Sequence, residues 1–495
     1  MADQPEKPDE ALHVQTPDAT SSSLDNPQEG EILDEPINEK ALLRKIDARL
    51  LPTVGILYLL SFLDRSNVGN ARIEGLIDDV HMSGNEYLTG LTLYFVGYVL
   101  FEIPCNIILK RTTPRFWLPT LTVAWGIVAT LMGIVTNLAG FLVARFFLGV
   151  TESGLFPGVV FYFSMWYKRR ERQYRISLFF SAASLAGAFG GILAYGIGHM
   201  RGIFWENGWR WIFILEGIAT VVIAVGAYWF IQNYPATAKF LTDAERRFIY
   251  TRLAEDSDAT HDEHFSWANV MLALKDPKCW LYGLGFHTMS LPLYTFSLFL
   301  PSIIRNLGYT AAIAQILTIP PYAFAFLTTL LVAVVSERVG QRAVFIAGSS
   351  AFAVIGYIML LANDDPVNRP GLSYAGTFFA AGGIYPATAL VLSWPAINVS
   401  GQTKRAVGNA MQITIGNLGA VLGTQLYRSG TEPRYILGHS FALGYLVANI
   451  ATVLTLRYIL VAENRRKAQI QPEVKAVGRL EDWEGDSDPR WRFEY

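Results

Sequence analysis

The stretch Ser61-Phe62-Leu63-Asp64-Arg65-Ser66-Asn67 lies near the far end of a strongly apolar segment that begins at about Leu50. An acid and a base side by side in such a segment pose a choice. If the segment crosses a bilayer, each charge costs ~2.5–3.5 kcal/mol at mid-depth on insertion scales. Charges that persist at that depth face a polar cavity or a partner, and so point to a functional site. Alternatively, the helix has already surfaced by Asp64. Arg72 and Glu74, a few residues on, favour an exit soon after Asn70.

The composition favours a membrane. Of 495 residues, 52% are hydrophobic and 17% charged, against about 25% charged in soluble domains. A mean hydropathy of +0.28 over the whole chain implies many spans and not a single anchor. Runs long enough to cross ~30 Å of hydrocarbon fall near 50–70, 88–109, 117–137, 140–166, 176–199 and 209–231, and again near 279–304, 310–335, 343–362, 371–394, 406–427 and 436–460. The expected fold is an all-α membrane protein of about twelve transmembrane helices in two pseudo-symmetric six-helix bundles, residues 43–231 and 278–461. Residues 1–42 are polar and acidic, without the basic and apolar regions of a signal peptide; they read as a disordered cytoplasmic tail. Residues 232–277 form a central cytoplasmic loop and 462–495 a second polar tail. Leu241-Thr242-Asp243-Ala244-Glu245-Arg246-Arg247 within the loop reads as the capped start of an amphipathic surface helix, a plain linker.

Charge fixes the orientation. Lys110, Arg111 and Arg115 follow the second span, five basic residues between Lys168 and Arg175 the fourth, Arg338 and Arg342 the eighth, and Lys404 and Arg405 the tenth. The positive-inside rule then places both termini in the cytosol. The Asn398-Val399-Ser400 sequon falls on the same side and is expected to be unglycosylated.

The halves echo each other. Gly154-Leu155-Phe156-Pro157 precedes Ser164 and Trp166; Gly383-Ile384-Tyr385-Pro386 precedes Ser393 and Trp394. Spans five and eleven each start after a basic residue and then carry glycines, Gly187, Gly190 and Gly191 against Gly416, Gly419 and Gly423. Small residues of this kind let helices approach closely. Parallel six-helix repeats around a midplane site are the architecture of major facilitator transporters.

Several polar residues are candidates for chemistry. Arg145 and Glu152 share a face of the fourth span, roughly 10.5 Å apart along the axis, so each needs its own partner. Pro157 cannot donate to the Ser153 carbonyl, so this helix should bend or loosen. Intramembrane acids commonly mark proton relays, which makes Glu152 the candidate proton carrier; a permanent structural ion pair is the alternative. Asp64 and Arg65 point about 100° apart and need not pair, while Asp64 and Asn67 share a face. Arg65 offers a planar fork suited to a carboxylate. Tyr98, more than Tyr94, is expected to line a cavity, and Glu102 to join a gate or ion network near Lys110 and Arg111. His287, Trp394, Asn409, Gln412 and Asn417 are further candidates, each with a structural role as its competitor. The chain carries no P-loop, metal cluster, nucleophile elbow or haem spacing, and Cys105 and Cys279 make no disulfide framework. Neither an enzyme nor a cofactor, metal or nucleic-acid partner is expected.

From about Leu43 to Ile459 the chain resembles the anion:cation symporter family of the major facilitator superfamily, most closely its fungal allantoate-permease-like branch. That branch includes permeases for nicotinate, allantoate and pantothenate. The resemblance rests on Leu63-Asp64-Arg65-Ser66-Asn67-Val68-Gly69-Asn70-Ala71, Phe101-Glu102-Ile103-Pro104-Cys105-Asn106 and Arg145-Phe146-Phe147-Leu148-Gly149-Val150-Thr151-Glu152. It implies that Arg65 contacts a substrate carboxylate and that Asp64 takes part in proton coupling, as in the bacterial sugar-acid symporters. Arg145 and Glu152 match a pair shared with the vesicular glutamate carriers. Tyr98 and Trp394 match an aromatic pair, and His287 lies near a seventh-span Arg of those carriers. Ile413 stands where the bacterial symporters have an Asn, which suits a less hydroxylated substrate. Lys110–Arg115 is a degenerate form of the superfamily's gating motif, and Ser336–Arg342 a better-preserved one.

The reading is a monomeric plasma-membrane symporter that imports a small organic anion with protons across the lipid bilayer. Its substrate site would comprise Arg65, Tyr98, His287, Trp394, Gln412 and Asn417. Asp64 and Glu152 would couple protons, and Asn67 and Arg145 would support them. A vacuolar or efflux antiporter and a non-transporting nutrient receptor are the alternatives.

Overall fold

Asp64 and Arg65 do not lie at an interface. Every residue of the first helix from Leu60 to Ala71 is buried, so this helix is enclosed on all sides at the depth of the two charges. The computed structural model that shows this describes residues 37–198, 200, 202, 207–255, 267–470, 485–489 and 491–495. Asn38–Tyr495 forms one unit, and residues 1–36 of the expected disordered tail lie outside the described residues.

Helix α1 (Glu39–Ile73) starts a few residues before the expected boundary because Asn38 caps it, its side chain accepting from the Ala41 N–H at 3.2 Å. It is followed by α2 (Gly84–Arg111), which opens with a Ser83/Glu86 capping box, and α3 (Pro114–Met132). The fourth span is α4 (Leu138–Glu152) and α5 (Leu155–Ser164), divided at Ser153–Gly154 where Pro157 withdraws its donor. Next come α6 (Arg169–Gly198) and α7 (Gly208–Phe230). After the loop helix α8 (Asp243–Glu255) come α9 (Pro277–Arg305), α10 (Ile319–Val339), α11 (Arg342–Ala362), α12 (Pro370–Ser393), α13 (Gln402–Thr424) and α14 (Ile436–Ile470). Among the described residues there is no strand.

Among the described residues, ten helical spans are long and apolar enough to cross a membrane. The other two long helices, α9 and α13, are less apolar. Every residue of α9 from Thr288 to Ile304 is buried. A helix sheltered by protein can carry polar side chains that lipid would penalise. Within the halves, α2 packs on α4, α3 on α7, α9 on α13 and α11 on α12; across them α1 meets α9, α2 meets α13, and α6 meets α10 and α12. The glycines of α6 and α13 are used differently. A Cβ at Gly187 or Gly191 would strike Tyr322 or Thr318 across the halves, whereas one at Gly416 or Gly419 would strike Phe286 or the His287 carbonyl within its own half.

Two segments read from the sequence as a linker helix and a polar tail are docked. Thr242 and Glu245 form the expected reciprocal cap of α8. Lys45 then reaches Glu245 at 2.8 Å and Arg252 reaches Glu39 at 2.6 Å, tying α8 to the start of α1. At the other end α14 runs past the expected boundary to Ile470. Residues 485–489 and 491–495 return to the bundle: Asp486 meets Lys404 at 2.7 Å, Phe493 exchanges two backbone bonds with the Asn464 side chain, and Glu494 meets Arg342 at 2.6 Å.

Asp276 joins these parts. Its carboxylate accepts from the Lys278 N–H at 2.9 Å at the start of α9 and from Lys404 at 2.7 Å. Burial opposes its ionisation, but Lys278 and Lys404 outweigh burial and hold its carboxyl below the usual range. Its stabilising contribution is therefore present above the pKa of an unfolded Asp and lost as pH falls through the lowered folded value. Asp276→Ala should destabilise the purified protein by roughly 1–2 kcal/mol at neutral pH. The deficit relative to wild type should shrink on acidification, when wild type loses the same contacts. Equal melting temperatures at neutral pH would contradict this account.

Candidate functional site

Tyr58, Ser61 and Arg65 follow one another at three- and four-residue spacing, so they form a single stripe on α1. The stripe faces a cavity of ≈ 20 Å³, also lined by Tyr98 of α2, Glu152 of α4, Phe156 of α5, Phe180 of α6, Phe286 and Tyr294 of α9, Leu392 of α12, and Ile413 and Asn417 of α13. That is room for about one water molecule, so the side chains converge on one another.

Arg65 is the hub. One terminal nitrogen donates to Glu152 Oε2 at 2.9 Å and the other to the Tyr294 hydroxyl at 2.9 Å, across the boundary between the halves. Its guanidinium carbon lies 5.2, 5.5 and 5.4 Å from the ring centres of Tyr94, Tyr98 and Tyr294, within cation–π range. Glu152 Oε2 also accepts from Tyr94 at 2.7 Å and Ser61 at 3.1 Å. The pair is almost entirely sealed, with side chains 6% and 0% exposed. The halves also touch beyond the cavity at both ends. Arg72 pairs with Glu432 at 3.1 Å and Gln315 donates to Glu74 at 2.9 Å on one side. On the other, Arg342 donates to Gln173, and Thr414 donates to Glu102 at 3.4 Å. The cavity is thus occluded.

The remaining candidates divide between this cavity and other places. Tyr98 and Asn417 line it. Asp64 does not share it with Arg65: it points into the first half, accepting from Trp125 Nε1 at 3.1 Å and Thr220 at 3.2 Å. Asn67 faces the same way and donates to Glu216. The 100° between adjacent residues sends the acid and the base to opposite sides of α1. Arg145 lies with its guanidinium carbon 5.0 Å from the Tyr94 ring centre. None of its three side-chain nitrogens has a hydrogen-bond partner among the described residues, so the expected polar partner is absent there. His287 joins helices through the Ile415 carbonyl at 2.9 Å and Tyr445 at 3.3 Å, outside the cavity lining. Gln412 donates to the Val391 carbonyl at 2.8 Å. Trp394 donates to the Glu494 carbonyl at 2.9 Å and packs against Tyr282. Both side chains are committed to packing between segments. Glu102, expected in an ion network, is fully buried, and among the described residues its carboxylate accepts a hydrogen bond from Thr414 and forms no ion pair. Asn398 of the sequon is buried and exchanges two bonds with the Glu494 backbone.

Sequence reasoning missed Tyr58, Ser61, Tyr294 and Glu216. The first two were legible as the i−7 and i−4 neighbours of Arg65. Glu216 was legible as an acid inside the span 209–231, by the same rule that singles out Glu152; Tyr294 carries no local signal, because its partner is on α1, distant in the chain.

Close helix approach holds the site. A Cβ on Gly149 would lie 1.9 Å from the Tyr94 carbonyl oxygen, and one on Gly97 would lie 2.4 Å from that of Phe146. These glycines let α2 bring Tyr94 onto Glu152. Gly149→Ala should force the two helices apart, with an overpacking cost of about 1–3 kcal/mol. The expected result is a lower melting temperature together with reduced transport; a normal melting temperature would show that the crossing relaxes freely.

Comparison with known proteins agrees with this architecture. Residues 54–424 match the family model for the Major Facilitator Superfamily. The chain is 36% identical to the MFS-type transporter cnsO of Penicillium expansum, over 92% of this chain and 90% of that one. It is 34% identical to the MFS transporter prlL of a fungal species, covering 96% and 97%. A bacterial homologue of the human lysosomal transporter Spinster, solved in an inward-facing, occupied conformation, superposes with a TM-score of 0.58 at 15% identity, over 85% of this chain and 96% of that one. With its occluded cavity between two halves and relatives named as transporters over nearly their full length, the chain belongs to the major facilitator superfamily and is a multi-pass membrane transporter.

Proposed function

We propose that the protein is a proton-coupled symporter for a small organic anion, of the anion:cation symporter type and allied to its allantoate-permease-like branch. The observation that carries this reading is the Arg65–Glu152 pair in the central cavity, bridged to the second half by Tyr294.

The coupling follows from charge. With the cavity empty, Glu152 neutralises Arg65. A substrate carboxylate that takes the Arg65 fork strips Glu152 of the guanidinium that donates to it, in a site sealed from water. A buried charge deprived of its partner is strongly unfavourable. A proton on Glu152 removes the conflict, so substrate and proton favour the same state, which is the thermodynamic requirement for symport. Alternating access of the halves around the midplane then moves both together. Asp64, on the opposite face of α1, is a second proton-coupling candidate, and Asn67 and Arg145 are supporting residues. The lining favours a flat, sparsely hydroxylated acid: six aromatic rings and one amide, Asn417, surround Arg65. Nicotinate fits that description, and allantoate or pantothenate would use fewer of the rings. Import across the plasma membrane, with both termini in the cytosol, completes the reading.

Uptake of labelled nicotinate, allantoate and pantothenate into cells lacking their own permeases, with and without an uncoupler, tests it. Uncoupler-sensitive uptake of one acid is expected; no uptake despite surface expression overturns it. Arg65→Lys should raise the half-saturation concentration by about ten- to hundredfold, as for loss of a charged hydrogen bond worth ~1.5–3 kcal/mol. Glu152→Gln should retain substrate exchange across the membrane while losing uphill, proton-driven uptake. Uphill uptake at the wild-type rate in Glu152→Gln would remove Glu152 from the coupling role.

A further inference from the structure

A second cavity lies apart from the transport path. It measures ≈ 510 Å³ and opens at the end of the bundle that carries the Lys- and Arg-rich loops. Arg49 of α1, Arg115 in the first turn of α3, and Lys239 of the central loop line it, with Trp229, Gln232, Asn233, Thr237 and Phe240. Three segments far apart in the chain thus bring three cations to one hollow, and no acid lines it.

The cations are available. Arg49 and Lys239 make no hydrogen bond or ion pair among the described residues, and both are exposed. Arg115 is exposed too and uses only its Nε–H, which donates to the Tyr228 carbonyl at 2.8 Å, and its backbone N–H, which donates to Asn233 at 3.2 Å. Its terminal nitrogens are left for a ligand. Like charges held together without a counter-ion repel one another, so an anion that enters relieves the repulsion.

The surroundings say which anion. Beside the hollow, Trp229 is 67%, Phe230 65% and Phe116 55% exposed, on the outer surface of α7 and α3. Within a membrane these rings face acyl chains, and Trp marks the headgroup level. The positive-inside pattern assigns this end to the cytosol, whose leaflet concentrates anionic lipids. An apolar wall continuous with a basic hollow matches one molecule with an anionic head and hydrocarbon tails.

We infer that Arg49, Arg115 and Lys239 form a binding site for the headgroup phosphate of an anionic glycerophospholipid, with its acyl chains against Phe116, Trp229 and Phe230. Because Arg49 belongs to the helix that carries Arg65, the lipid grips the base of the substrate-binding helix.

Native mass spectrometry of the full chain, purified with equimolar dioleoyl phosphatidylserine and dioleoyl phosphatidylcholine, tests the site without reference to transport. Phosphatidylserine should survive delipidation in preference to phosphatidylcholine, and added salt should weaken the preference. Lys239→Gln, which breaks no side-chain hydrogen bond or ion pair among the described residues, should weaken retention about fivefold. The triple variant R49Q/R115Q/K239Q should abolish the preference, while Arg466→Gln, a charge removed elsewhere on the surface, should leave it intact. Equal retention of the two lipids, or an unchanged preference in both Lys239→Gln and the triple variant, overturns the inference. Displacement of phosphatidylserine by an equal concentration of inorganic phosphate also overturns it, since the site would then hold a free anion.

Discussion

A guanidinium and a carboxylate sealed from water must find each other, and four helices are arranged so that Arg65 and Glu152 do. Either charge alone at that depth would be prohibitive; together they stand with further donors and acceptors on Glu152 Oε2 and one arm of Arg65, while Glu152 Oε1 and Arg65 Nε have no hydrogen-bond partner among the described residues. Tyr94 and Ser61 add donors to the same oxygen of Glu152, Tyr294 accepts from the other arm of Arg65, and three aromatic faces surround the cation. Satisfying the pair requires α2 to ride close against α4, which Gly97 and Gly149 allow. It also requires α9 to reach over from the other half. The same interaction therefore sets the packing of the first half and its contact with the second.

This arrangement makes α1 the central element. Arg65 on one side looks toward the second half; Asp64 on the other looks back to Trp125 and Thr220, with Asn67 and Glu216 beside it. A rotation of α1 that moved Arg65 would also move Asp64. The helix is buried all round at this level, so such a rotation has to be shared with its neighbours. The low polarity tolerance of lipid explains the companion feature: α9 and α13, the two long helices that fall short of the hydropathy of the other spans, are placed against each other, and α9 is enclosed by protein from Thr288 to Ile304.

The candidate site was partly legible. The stripe containing Arg65 follows from helical spacing, and Glu152 stands out as an intramembrane acid beside a helix-breaking proline. For Trp394 and Gln412 helical spacing does not choose, because an aromatic or amide in a span is equally suited to a cavity and to a helix junction. Here Trp394 holds the docked residues near the chain's end, and Gln412 bonds a neighbouring carbonyl. His287 likewise links helices within its own half.

The amino-acid sequence by itself determined the all-helical membrane fold, the approximate spans, the break before Pro157, and the angle that separates Asp64 from Arg65. All of these are local: hydropathy over some twenty residues, a missing N–H, a rotation per residue. Only the tertiary structure decided that Glu152 pairs with Arg65 and leaves the Arg145 side chain without a hydrogen bond among the described residues, that Tyr294 closes the site from the second half, and that Glu216 lies beside Asn67. Those outcomes depend on how far each helix is turned about its axis and how closely it meets its neighbour. Packing between distant segments sets both quantities, and no local pattern encodes them.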